Sequence, residues 1–166
     1  MHSGGPARLV VMCGPPGSGK TTLARRLAVQ LSAVSLSPDE WMTQLGVELD
    51  HSLREPLSDH LWRLGQELLA NSQNVIMESG HWMRDERDEK RLVARALGVT
   101  VELQYLDVPL DELHRRIAKR TTERAWGSYQ MTPEQLDGWA TLFQPPDASE
   151  LALFDTPTKL AEPSID

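Results

Sequence analysis

The sequence predicts an α/β fold, in which a mostly parallel sheet of roughly four to five strands is covered by helices on both faces. Three observations point to it. Apolar, β-branched runs alternate along the chain with segments whose leucines recur at helical spacing. The first of those runs, Arg8 to Cys13, is apolar without alternation, the pattern of a parallel strand buried on both faces. Immediately after it comes a glycine-rich loop, Gly14-Pro15-Pro16-Gly17-Ser18-Gly19, that leads into the first helical segment.

Beyond the loop, Leu23, Leu27 and Leu31 share one helix face, and Arg25, Arg26 and Gln30 lie on the other. Val34 to Leu36 reads as a second strand. A helix is expected to start at Pro56, with Leu57, Leu61, Leu64 and Leu68 as its apolar stripe. Asn74 to Glu78 is the third strand. The next helix runs from about Asp85 to Leu97 and is stopped by Gly98, which suits the left-handed residue at a helix end. Thr100 to Asp107 alternates and forms the fourth strand, and Pro109 opens a helix carrying Leu110, Leu113 and Ile117 on one face. Pro145-Pro146 breaks the chain, and Glu150 to Phe154 has room for one helical turn. No buried fifth strand is legible after it. Repeats and low-complexity linkers are absent, so one domain over residues 1–166 is expected.

Composition narrows the function. With 17 Lys and Arg against 24 Asp and Glu, the formal charge of −7 opposes a large basic face for duplex DNA or long RNA. Cys13 is the single cysteine, which excludes an internal disulfide or a cysteine zinc cage and fits a reducing compartment. No apolar run is long enough to cross a bilayer and no secretory signal opens the chain. A cytoplasmic protein without a membrane partner is the expectation. The histidines His51 and His60 lack a metal-ligand spacing, so zinc is not expected.

The run from Gly14 to Lys20-Thr21 satisfies the phosphate-loop pattern G-x-x-x-x-G-K-[ST] in full. Its glycines let backbone N–H groups curl around a phosphate chain that a Cβ would push away. Lys20 would reach the β- and γ-phosphates, and the Thr21 hydroxyl would ligate Mg²⁺, with Thr22 beside it in the first helical turn. A second acidic position, Asp39 in Ser37-Pro38-Asp39-Glu40-Trp41, follows the second strand at the carboxyl edge of the sheet, where open α/β folds bind ligands. The same residues also make a helix start, with Ser37 as cap, Pro38 in the first position and both acids favoured by the dipole. The two readings are compatible.

From Arg8 to about Phe154 the chain resembles the small P-loop kinases, the group containing adenylate, shikimate and gluconate kinases, chloramphenicol phosphotransferase and polynucleotide kinase. Within the group it is most similar to compact AAA-type kinases with an acidic site after strand two. The resemblance implies a three-layer P-loop NTPase fold with a mobile lid, and ATP and Mg²⁺ as cofactors. It implies transfer of the γ-phosphate to a hydroxyl of a small molecule, with Lys20, Asp39 and Arg120 as the catalytic residues. Asp39 would orient that hydroxyl and accept its proton. Glu78, in Glu78-Ser79-Gly80-His81, stands where relatives usually carry an Asp that supports the metal, and it would hold substrate or a metal-bound water. His81, Trp41, Arg84 and Arg87 would line the acceptor pocket, although salt links from the arginines to Asp88 are an equal reading. In Arg115-Arg116-Ile117-Ala118-Lys119-Arg120, the resemblance puts Arg116 beside the base, Arg120 on the transferring phosphate and Arg124 as a further lid contact, the lid spanning about residues 120–132. Two other readings stay open, a polynucleotide 5′-hydroxyl kinase and a nucleotide-dependent switch or ATPase. The guanine-reading N-K-x-D motif is absent, which weighs against a GTPase.

Overall fold

The computed structural model describes residues 5–47, 51–123 and 131–161. Eleven elements are assigned in it: β1 (Arg8–Cys13), α1 (Lys20–Leu31), β2 (Val34–Leu36), α2 (Pro38–Gln44), α3 (His51–Ala70), β3 (Val75–Met77), α4 (Arg84–Ala96), β4 (Thr100–Tyr105), α5 (Leu110–Glu123), α6 (Pro133–Leu142) and α7 (Ala148–Leu151). The four strands form one parallel sheet in the order β2-β3-β1-β4.

β1 is central, and its side chains alternate between two cores because successive Cβ atoms point to opposite faces. Leu9, Val11 and Cys13 join Val75, Met77, Val101 and Leu103 on one face, where α3 supplies Leu61, Trp62 and Leu69 and α4 supplies Ala94. Val10, Met12 and Ile76 occupy the other face under Ala24 and Leu27 of α1. A third cluster joins Leu113 and Ile117 of α5 to Leu136 and Trp139 of α6. Every strand therefore delivers its C-terminal end to the same edge, and the loops leaving that edge build the site.

Two helices depart from the sequence reading, and the strand count agrees with it. The long helix begins at His51, upstream of the expected start, and carries Pro56 inside it. Pro56 is the sixth residue of α3, where it removes one i→i−4 hydrogen bond, so the rule that places proline at the first position set the boundary too late. α6 was not foreseen, although Thr132-Pro133-Glu134-Gln135 is a capping box: the Thr132 hydroxyl accepts from the Gln135 N–H at 3.2 Å and the Gln135 amide oxygen accepts from the Thr132 N–H at 2.8 Å. The sheet has four strands, and its β4 edge is covered by the chain from Asp155 onward. Only Glu102 and Asp155 form a parallel bridge. Beyond it, the buried Glu102 carboxylate accepts from the Thr158 N–H (2.6 Å) and hydroxyl (2.8 Å) and pairs with Arg8, while Gln104 donates to the Thr158 carbonyl at 2.9 Å. Pro157 has no N–H for a ladder, so side chains replace backbone pairing along this edge. The lid expected over about residues 120–132 falls mainly on residues 124–130, which lie outside the described residues, as does Arg124.

Candidate active site

The phosphate loop leaves β1 at Gly14 and ends where Gly19 caps α1. Gly17 (φ 79°) and Gly19 (φ 97°) occupy the left-handed region, which strains any residue with a Cβ. A Cβ on Gly14 would meet the Ser18 hydroxyl at 3.0 Å and the Leu106 carbonyl at 3.1 Å, so close approach of backbone also requires glycine there. Pro15 is buried, Pro16 half-buried, and Thr22 exposed on the first turn of α1. The Ser18 hydroxyl is buried with no hydrogen-bond partner among the described residues, and it lies in the loop that phosphate oxygens would fill.

Lys20 folds back over this loop. Its ammonium donates to the carbonyls of Gly14 (3.0 Å) and Pro15 (2.7 Å). Burial pulls its pKa down to about 8; Glu78, Cys13 and Asp39 push back upward, and Arg120 adds to the lowering. The charges of Asp39 and Arg120 are therefore felt at the Lys20 ammonium, as a phosphoryl-transfer site would need.

The Thr21 hydroxyl donates to Glu78 Oε1 at 2.5 Å. β3 and α1 thus bring together the two groups that a phosphate-bound Mg²⁺ needs from a protein, a hydroxyl and one carboxylate. The donor set fits: both are hard oxygen ligands, and Mg²⁺ keeps several waters and takes the rest of its shell from phosphates. Burial raises the Glu78 pKa, the Thr21 bond lowers it, and Glu40 raises it again. A cation there would relieve the desolvated carboxylate.

Asp39 sits in the first turn of α2, where the Ser37 hydroxyl accepts from the Glu40 N–H at 3.3 Å. The capping reading therefore holds, and the carboxylate stays exposed at the sheet edge. It accepts from Arg54 Nε at 2.9 Å. Sequence reasoning missed Arg54, because its partner lies 15 residues away with no local spacing to mark it. Trp41 is half-buried and packs against the core on its α3 side.

Arg116 reaches the outside of the loop, its Nη1 donating to the carbonyls of Gly17 (3.4 Å) and Ser18 (3.3 Å). Glu112 holds it at 2.7 Å and Arg115 at 2.6 Å, and those two arginines keep the Glu112 pKa low. Sequence reasoning missed Glu112 as the partner of these arginines, although it lies three and four residues before them. Arg120 is exposed on the same helix.

Two expected pocket residues face inward instead. Arg87 is fully buried, and its five N–H groups meet Glu150 (2.6 and 2.9 Å), the carbonyls of His81 (2.9 Å) and Trp82 (3.2 Å), and the carbonyl of Gln144 (2.8 Å). No donor is left for a substrate, so its role is to hold the segments on either side of α4 together. His81 is buried, with Nδ1 at 2.7 Å from the Met12 carbonyl, and burial drives its pKa down to about 4. A neutral, enclosed imidazole packs the frame and does not line a pocket. Arg84 is exposed and pairs with Asp88 at 3.6 Å, the i,i+4 link weighed from sequence. Gly80 completes the frame: its carbonyl accepts from the Gly14 N–H at 3.3 Å, and a Cβ on it would collide with the Trp82 indole. His81, Arg87 and Gly80 together lock the loop after β3 against the start of the phosphate loop.

A family model described as an AAA domain matches residues 9–146. The chain is 31% identical over 119 residues to a cytidylate kinase from Ignicoccus hospitalis, covering 68% of this chain and 64% of that protein. It thus spans less than two thirds of that relative's length. Among solved structures, a chain of the Pnkp1/Rnl/Hen1 RNA repair complex superposes with a TM-score of 0.71 at 21% identity, covering 99% of this chain and 52% of that one. A gluconokinase from Sinorhizobium meliloti superposes with a TM-score of 0.60 at 21% identity over 86% of this chain and 78% of its own. At such identities the structures establish a shared fold, the three-layer fold of P-loop kinases.

Proposed function

The chain belongs to the AAA domain family, and on that premise we propose that it is an ATP- and Mg²⁺-dependent phosphotransferase that acts on a hydroxyl group of a small molecule. The observation that carries this reading is the convergence of Lys20, the Thr21–Glu78 pair and Asp39 at one sheet edge, with Lys20 electrostatically coupled to Asp39. A switch needs the first three alone. A carboxylate at the same sheet edge, in the first turn of α2, is what a kinase adds, because an attacking alcohol must lose its proton.

In this scheme the loop N–H groups and Lys20 would hold the β- and γ-phosphates, Arg116 would lie on the base side, and Thr21 and Glu78 would hold the metal. Bound there, Mg²⁺ would neutralise charge on the phosphate oxygens. The acceptor oxygen attacks the γ-phosphorus in line, the bond from that phosphorus to the β,γ-bridging oxygen breaks, Asp39 takes the hydroxyl proton, and ADP leaves. Arg120 would meet the transferring group. Charge is compatible with an alcohol as acceptor: Asp39, Glu40 and Glu78 lie at this edge, where Arg54 pairs with Asp39 and Arg25 with Glu40. A second reading, a nucleoside monophosphate as acceptor, draws on the likeness to cytidylate kinase. A 5′-hydroxyl of a polynucleotide is a third, disfavoured by the net charge of −7.

The test is transfer of label from γ-labelled ATP to three acceptor groups: a panel of small hydroxyl compounds, cytidylate with other monophosphates, and a 5′-hydroxyl oligonucleotide. Label on a small alcohol, lost about 10²–10⁴-fold in Asp39→Asn with ATP affinity kept, is the expected result. Full transfer by Asp39→Asn would remove the base assignment, and label on monophosphates alone would replace the alcohol by a phosphate acceptor.

A further inference from the structure

On the far side of the phosphate loop from Asp39, the C-terminal end of β4 meets α5 and α6 around a cavity of about 220 Å³. Its walls include Pro15, Tyr105, Asp107, Leu113, Trp139 and Phe143. Trp139 stacks on Phe143 with ring centroids 4.7 Å apart, and Phe143 lies 6.3 Å from Tyr105, so aromatic side chains cluster around the space. One polar pair interrupts them: the Tyr105 hydroxyl donates to Asp107 Oδ1 at 3.3 Å. The Trp139 indole N–H is buried and has no hydrogen-bond partner among the described residues. Pro15 links this cavity to the phosphate site, since its carbonyl accepts from Lys20 at 2.7 Å.

We propose that this cavity binds the planar ring of a small molecule that carries an N–H or O–H donor. Size sets the first limit: an apolar cavity of about 150 Å³ accepts benzene, so the space here suits one substituted ring. Shape sets the second, because aromatic faces favour a flat π-system over a saturated ring of equal volume. The donor follows from Asp107, an exposed carboxylate that accepts up to about four hydrogen bonds and uses one oxygen for Tyr105. Burial and the neighbouring Asp107 carry the Tyr105 pKa up to about 12, so the phenol stays a donor and Asp107 stays the acceptor. Binding of this ring requires neither ATP nor phosphoryl transfer, and it is therefore separable from the kinase reading.

The experiment is a titration of the full chain, without nucleotide, followed by ¹H–¹⁵N NMR of the indole resonances, with that of Trp139 identified by Trp139→Phe. The probes are 3-aminophenol, toluene (planar, no donor) and cyclohexanol (donor, not planar). Saturable movement of the Trp139 resonance with 3-aminophenol is expected, with toluene weaker and cyclohexanol inert. Asp107→Asn, a surface change, should weaken 3-aminophenol about tenfold. Leu110→Trp, at an exposed wall position, should block 3-aminophenol and toluene. No movement at Trp139, equal binding of cyclohexanol, or unchanged affinity in Asp107→Asn would each overturn the proposal.

Discussion

Nucleotide affinity should fall with rising pH through the titration of Lys20. Its ammonium is buried, with the Gly14 and Pro15 carbonyls as hydrogen-bond acceptors, and its pKa drops from 10.5 to about 8. Below that value the amine is already charged and ready for phosphate, so Lys20 contributes no pH dependence. Above it the free protein holds a neutral amine and must take up a proton to bind, because triphosphate oxygens beside Lys20 stabilise only the charged form. Affinity then weakens about twofold at pH 8, where half a proton is taken up, and roughly tenfold by pH 9. The same shift has a stability counterpart. Between about 8 and 10.5 the unfolded chain binds the extra proton, so folding stability rises with pH across that window, by up to roughly 3 kcal/mol. Isothermal titration calorimetry with a non-hydrolysable ATP analogue, in buffers of different ionisation enthalpy, reads affinity and proton uptake together. Lys20→Arg, charged at every pH used, should abolish the slope even if it binds more weakly. A flat affinity up to about pH 9.5, or an unchanged slope in Lys20→Arg, would refute the reasoning.

Other sites give independent predictions. Glu150→Ala strands the Arg87 charge in the interior and should cost about 3–5 kcal/mol in urea unfolding, whereas Arg87→Met with Glu150→Leu should recover most of it; equal losses in the single and double variants would contradict the pairing. Glu78→Gln and Thr21→Val should bind ATP without Mg²⁺ nearly as well as the parent while losing most of the Mg²⁺-dependent gain, measured by fluorescent-nucleotide displacement with and without the metal. His81 has its pKa lowered from 6.5 to about 4 by burial, so the unfolded chain binds its proton first and stability is lost as pH falls through that window, by roughly 3 kcal/mol at most. His81→Asn, which tolerates the positive φ of 43° there, should flatten the urea midpoint between about pH 6.5 and pH 4.5 relative to the parent.

Legibility followed the range of the interaction. Ser37-Pro38-Asp39-Glu40 spelled a helix start that the structure contains, and the link from Arg84 to Asp88 four residues on was weighed from spacing alone. Arg87 was weighed against Asp88 because that carboxylate is its neighbour in the chain. Its partner is Glu150, 63 residues on, and no spacing encodes that choice. His81 misled for a similar reason: histidine at a strand end reads as chemistry until its burial against the Met12 carbonyl is known. α6 was readable from its capping box, yet attention to the glycine-containing stretch that ends just before it left the helix unassigned.

Residues 8 to 22 by themselves determine a strand, a left-handed turn rich in glycine and a helix start, because backbone dihedrals and burial periodicity are properties of contiguous residues. From that followed the α/β class and the phosphate cradle. Which charges meet inside it is a different kind of fact. Thr21 reaches Glu78 across 57 residues, and Asp39 comes within electrostatic reach of Lys20 only because β2, β3 and β1 end at one edge. The same packing withdrew Arg87 and His81 from the pocket and left an open cavity beside Pro15 that no local pattern announces. Electrostatics and burial act through space, so they are decided when the sheet forms.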